Sequence, residues 1–277
     1  MTPTAASALA ARPIGLFDSG IGGLTVARAV AQRLPHERLV YFGDTAHLPY
    51  GDKSTAAIQA YAVKICDVLL RQHCKVILIA CNSASAAAYE LVREYVGSKA
   101  QVLNVIDPIV AQVGQQYAGQ QVGLIGTKQT VNSNVYRKKL DALDAGVELH
   151  SLATPLLVPM IEEGFFKNSI SDDIIGTYLE NPALAGIDAL VLACTHYPLI
   201  KSQIDRYYAG RVAVLDSSDA VAAHAEAYLA AHGLLAPPAE TPPAHHFYVS
   251  DFTPSFEVST RLFFGQEVRL EHYPLWE

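Results

Sequence analysis

An α/β protein built from two pseudo-symmetric α/β domains with largely parallel sheets is what this sequence calls for. Apolar, strand-like runs alternate with helix-forming segments along the chain, the pattern of parallel strands joined by crossover helices. Two of those runs end alike: Ile77-Leu78-Ile79-Ala80 leads into Cys81, and Ala189-Leu190-Val191-Leu192-Ala193 leads into Cys194. Their spacing repeats as well. Asp18 precedes Cys81 by 63 residues (81 − 18), and Thr127 precedes Cys194 by 67 (194 − 127). Repetition of a whole plan implies a pseudo-twofold arrangement. Ligands of open α/β sheets bind beyond the carboxyl ends of the strands, so the active site is expected in the cleft between the halves, with one thiol from each side.

The elements follow in order. Ile14 to Phe17 reads as a strand, entering the glycine-rich loop Asp18-Ser19-Gly20-Ile21-Gly22-Gly23. A helix from Leu24 to Leu34 is stopped by Pro35, and Leu39 to Phe42 is the next strand. After the polar loop from Gly43 to Lys53, Ser54 is a good N-cap for a helix reaching about Gln72. Val76 to Ala80 is a strand buried on both faces, followed by a helix to about Tyr95, a strand from Val102 to Ile106, and a helix opened by Asp107-Pro108. The series then restarts with a strand at Val122 to Gly126, a helix from Val135 to Leu143 and a strand from Glu148 to Ala153. Residues 154 to 164 are expected as loop, then Ile170 to Glu180 as helix. The second cysteine strand has its own helix from Leu199 to Tyr208, and Val212 to Leu215 and Asp219 to Ala231 complete the half. Leu235 to Ala244 is proline-rich and reads as linker. His246 to Ser250 and Val268 to Glu271 bracket a last helix and return to the first sheet. The expected organisation is a flexible tail over 1–11, a first domain over 12–105 plus 216–277, and a second over 106–215.

Composition narrows the function classes. With 51% apolar residues in 277 the chain can bury a large core. A net charge of −7 and the lack of a basic stripe argue against nucleic acid. No apolar run is long enough to span a bilayer. The start of the chain lacks the basic, long-apolar signature of a signal peptide. Four cysteines without a CxxC pair fit free thiols in a cytoplasmic protein better than a disulfide framework. The glycine loop lacks dinucleotide spacing and no phosphate-loop lysine is present, so no cofactor is expected.

Two thiols facing one carbon suit inversion next to a carboxylate, which needs a base on one face and an acid on the other. Cys81 and Cys194 both precede helix-forming segments, where the dipole favours thiolate. Asp18 and His196 fall beside their respective thiols. Asn82-Ser83 and Thr195-His196 place N–H groups at helix starts, which bind carboxylates, and Ser19 and Tyr50-Gly51 add donors from neighbouring loops.

These motifs together resemble the cofactor-independent aspartate/glutamate racemase superfamily. The matching stretches are Gly15 to Val26, Tyr41-Phe42-Gly43-Asp44-Thr45, Pro49-Tyr50-Gly51, Ala80 to Ala86, Ile125-Gly126-Thr127, Val158 to Gly164, and Cys194-Thr195-His196-Tyr197-Pro198-Leu199. Their contexts are similar to the glutamate branch. The resemblance implies interconversion of L- and D-glutamate for peptidoglycan, with Cys81 the base toward D-glutamate and Cys194 toward L-glutamate. It implies Asp18, Glu162 and His196 as assisting groups; Glu163, the adjacent acid, is the alternative to Glu162. It also implies Asp18, Ser19, Tyr50, Gly51, Asn82, Ser83, Thr195 and His196 as substrate-binding, and a possible homodimer. Ser83 departs from the family's usual threonine.

A plainer reading stands beside each of these. A cysteine after an apolar run is usually a buried small hydrophobe, and Cys66 and Cys74 are read that way. Asp18 reads equally as a turn residue, and Glu162 as a solvated helix end. A third function class, a metal or redox module on Cys81, Cys194 and His196, lacks the ligand spacing of a structural zinc site.

Overall fold

The computed structural model describes residues 5–277. The first half runs α1 (Ala5–Ala10), β1 (Ile14–Asp18), α2 (Leu24–Arg33), β2 (Leu39–Gly43), α3 (Thr55–Arg71), β3 (Val76–Ile79), α4 (Asn82–Val96), β4 (Gln101–Asn104) and α5 (Ile106–Gln116). The second runs β5 (Gln121–Gly126), α6 (Lys128–Asn132), α7 (Val135–Ala142), β6 (Glu148–Ala153), α8 (Leu157–Glu162), α9 (Ser169–Leu179), β7 (Ala189–Ala193), α10 (Lys201–Tyr208), β8 (Ala213–Asp216) and α11 (Ser218–Ala231). The chain closes with β9 (His246–Val249), α12 (Pro254–Phe264) and β10 (Leu270–His272).

Two sheets result, ordered β10-β9-β2-β1-β3-β4 and β6-β5-β7-β8. Every neighbouring pair is parallel. The order β2-β1-β3-β4 recurs as β6-β5-β7-β8, which is the repetition seen in the cysteine spacing. The returning strands β9 and β10 extend the first sheet beside β2.

The central strands β1, β3 and β7 are buried along their whole length, as the side chains of a sheet covered on both faces must be. One apolar core joins the two sheets, with Leu16 and Leu78 in the same cluster as Leu124 and Leu190. A smaller cluster holds Phe17, Ile77 and Ile79 against Ile65 and Leu69 of α3 and Ala88 of α4. Cys66 and Cys74 lie in it, buried and free.

Element bounds differ from the sequence reading mainly in the second half. Residues 157–162, expected as loop, form α8. Pro159 is tolerated because it falls in the first turn, where an N–H has no helical acceptor. A short helix the reading missed, α6, starts at Thr127, whose hydroxyl caps the Thr130 N–H at 3.2 Å. The segment after Cys194 opens as a 3-10 turn over Tyr197–Ile200, with Pro198 near its start, before α10 begins. Of the expected tail, residues 1–4 lie outside the described residues, and 5–10 form α1. Its last carbonyl, on Ala10, accepts from the buried Lys75 ammonium, which also pairs with Glu37 at 2.6 Å and reaches the Leu234 carbonyl. Among the described residues, no helix is long and apolar enough to cross a membrane.

Candidate active site

Cys81 follows β3 and is itself the N-cap of α4: its sulfur accepts from the Ala84 N–H at 3.4 Å. The thiol points toward Ser19 Oγ, 3.8 Å away. Asp18, at the end of β1, is fully buried. Its Oδ2 accepts the Gly20 N–H at 3.0 Å, while Oδ1 has no hydrogen-bond partner. Burial pushes the Asp18 carboxyl above its ordinary value, against the pull of the His196 charge and the Gly23 and Gly20 amides. Burial, and then the Asp18 charge, push the Cys81 thiol well above its ordinary value too. The helix end expected to favour the Cys81 thiolate is therefore outweighed. Its cap bond and Ser19 pull downward, but desolvation of the buried sulfur is the larger effect.

Cys194 follows β7. His196 Nδ1 lies 3.8 Å from its sulfur, and His196 Nε2 lies 3.0 Å from Glu162 Oε1 at the end of α8. No α-helix starts directly behind Cys194, so a long helix dipole is replaced there by this imidazole. Burial alone lowers the His196 pKa, but hydrogen bonds to Cys194 and Glu162, and their charges, raise it to about 10. A positive charge on this ring would lie 3.8 Å from the neighbouring sulfur. Gly22 permits this packing: a Cβ there would stand 2.3 Å from His196 Cε1 and 2.7 Å from Thr195 Oγ1.

Both thiols line a single pocket between the sheets, of about 750 Å³ including its open mouth. Glu162 and His196 line it, as do Ser19, Tyr50, Gly51, Asn82, Ser83 and Thr195. Asp18 alone among the expected site residues is not in the lining; it sits behind Ser19 and Gly20. Both adjacent acids are exposed, but Glu162 lines the pocket and Glu163 does not.

The two halves touch across this pocket. Ser83 Oγ meets Thr127 Oγ1 at 2.8 Å, Tyr136 donates to Asn82 Oδ1 at 2.6 Å, and Thr25 donates to the Thr195 carbonyl at 2.9 Å. Asn82 Nδ2 is buried without a partner. Unsatisfied polar groups such as this and Asp18 Oδ1 are rare in folded proteins; of the two residues, Asn82 lines the pocket and Asp18 does not.

Thr127, Lys128 and Thr154 also line the pocket and were not expected from the sequence. Lys128 Nζ pairs with Asp52 Oδ1 at 3.1 Å across the mouth. The Thr127 cap ahead of α6 was the one available signal. Among the described residues no group of three or more His, Cys, Asp or Glu side chains is placed to hold a metal ion.

A duplicated parallel-sheet plan that brings a buried cysteine from each half to one pocket defines an α/β enzyme of the two-thiol racemase class. The chain belongs to the Asp/Glu/Hydantoin racemase family, whose profile matches residues 24–225. It is 41% identical over 255 residues to a glutamate racemase of Neisseria meningitidis, covering 92% of this chain and 93% of that one. It is 40% identical over 256 residues to a glutamate racemase of Chlorobium phaeobacteroides, with the same coverage. Among solved structures, glutamate racemase from Francisella tularensis in complex with D-glutamate superposes with a TM-score of 0.89 at 37% identity, covering 96% of this chain and 99% of that one.

Proposed function

We propose that this protein interconverts L- and D-glutamate by moving the α-proton between two cysteines, and that it supplies D-glutamate for peptidoglycan. The observation that carries this reading is the shared pocket: a sulfur from each pseudo-equivalent strand lines it. The relatives' activity on glutamate supports the choice of substrate.

With L-glutamate bound, the Cys194 thiolate takes the α-proton and the electron pair passes to the α-carbon and its carboxylate. The Cys81 thiol then gives its proton to the opposite face, and the charge ends on Cys81. D-glutamate runs the same sequence backwards, with Cys81 as base. The two sulfurs have different surroundings. The His196 imidazole, held by Glu162, stands 3.8 Å from Cys194, whereas burial and the Asp18 charge push the Cys81 thiol up. An inversion needs one proton shared between the two thiols. N–H groups at the start of α4, on Asn82 and Ser83, suit a carboxylate, and Ser19, Tyr50-Gly51 and Thr195 complete the walls. Asp18 acts from behind on Cys81.

The proposed domains are 12–105 plus 216–277, and 106–215. The protein is proposed to work in the cytoplasm as a homodimer, without a cofactor and without nucleic-acid or membrane partners. The direct test is circular dichroism of L-glutamate, L-aspartate and a hydantoin, each incubated with purified protein and no added cofactor. Decay of the glutamate signal to zero is expected. A signal that decays only for aspartate or the hydantoin sinks the glutamate assignment and keeps the two-thiol chemistry.

A further inference from the structure

Asp44, directly after β2, is fully buried and gathers donors from distant parts of the chain. Its Oδ2 accepts the Tyr50 hydroxyl at 2.6 Å, and its Oδ1 accepts Ser250 Oγ at 2.8 Å and Trp276 Nε1 at 2.7 Å. His47 Nδ1 lies 3.1 Å from Oδ2. Of these donors only Tyr50 lines the pocket.

Trp276 is itself firmly seated. Its ring meets His47 edge-on at 4.4 Å and Tyr61 at 5.4 Å, and the Lys64 ammonium lies 4.9 Å from its face. The segment leading to it is fixed by the Tyr273 N–H bond to the Val249 carbonyl at 2.8 Å and by Tyr273 against Phe42 at 5.8 Å.

From this geometry we infer that Trp276 is a positioning residue for substrate: through Asp44 it fixes Tyr50, and with it the Tyr50-Gly51 wall, without touching the pocket. A carboxylate with donors on both oxygens cannot rotate without breaking bonds. Without the indole N–H, Oδ1 keeps Ser250 and the 3.2 Å contact to His47 but loses a charge-assisted bond, so the carboxylate that accepts the Tyr50 hydroxyl is held less tightly. This inference rests on the proposed glutamate chemistry for its kinetic readout.

The test uses the full chain. Trp276→Phe keeps an aromatic ring and removes the donor. It is expected to raise KM for glutamate by about fivefold or more, with kcat within about twofold and the melting temperature little changed, since only a pocket wall is loosened. An unchanged KM, or a loss confined to kcat and stability, overturns the inference. Trp276 is the only tryptophan, which provides a readout independent of activity and of that variant's folding. In substrate-free protein, Tyr50→Phe removes a neighbouring donor from Asp44 and is expected to shift the Trp276 emission; emission identical to the unaltered chain overturns the link. If the unaltered chain does not racemise glutamate, the proposed function falls, and the emission comparison still decides the tether.

Discussion

Replacing Gly22 by alanine tests the His196 arrangement without altering any group that carries a proton. The new methyl carbon would stand 2.3 Å from His196 Cε1 and 2.5 Å from Nδ1, where ordinary contact begins at 3.4 Å. The ring must therefore retreat by 1.1 Å (3.4 − 2.3) or the loop must move with it. A retreat of that size breaks the 3.0 Å contact to Glu162 or the 3.8 Å contact to Cys194. Misplacement by about 1 Å costs on the order of 100-fold in rate, so kcat/KM is expected to fall by about that factor, or about 2.7 kcal/mol. Overpacking should cost a further 1–3 kcal/mol or so of stability. Coupled CD kinetics and a thermal melt measure both. A variant that melts early yet keeps kcat/KM within about threefold would refute the reasoning, because the ring would have moved without consequence.

Three further outcomes are expected. Cys81→Ser and Cys194→Ser should each lose racemisation by at least about 1000-fold, while each still exchanges the α-proton of one enantiomer with deuterated water, as NMR would show; full activity in either excludes the two-thiol scheme. His196 is held at about 10, above its unfolded value of about 6.5, so its imidazolium adds stability that is whole below about pH 6.5 and is lost as pH rises through about 10. Melting temperatures across that range should show the loss, and Glu162→Gln should shrink it. Lys75→Met leaves Glu37 buried without its counter-ion and should cost about 3–5 kcal/mol in urea unfolding, most of it recovered when Glu37→Leu is added; equal stability of the single and double variants would contradict this.

The central strands were legible because they are continuous apolar runs, such as VILI and ALVLA, and the paired Ala-Cys endings already marked the pocket. What the sequence could not display were contacts between distant residues. Glu162 and His196 are 34 positions apart with no periodicity linking them, and Pro159 disguised the helix that brings them together. Thr127 and Lys128 were missed because α6 is a single polar turn or so, too short for an amphipathic pattern. Asp18 shows a different limit: its residue type suggested a group in the pocket, but the packing buries it outside the lining. The dipole argument for Cys81 was incomplete because sequence reports which helix follows a cysteine and not how deeply the sulfur is buried.

The continuous apolar interior that unites Leu16 and Leu78 with Leu124 and Leu190 makes the halves thermodynamic partners. Neither can melt while the other keeps its inner face dry, so a calorimeter should record one event where the duplicated architecture suggests two. Breathing at the mouth, held by the exposed Lys128–Asp52 pair, is a much smaller excursion. Opening there need not disturb the shared interior.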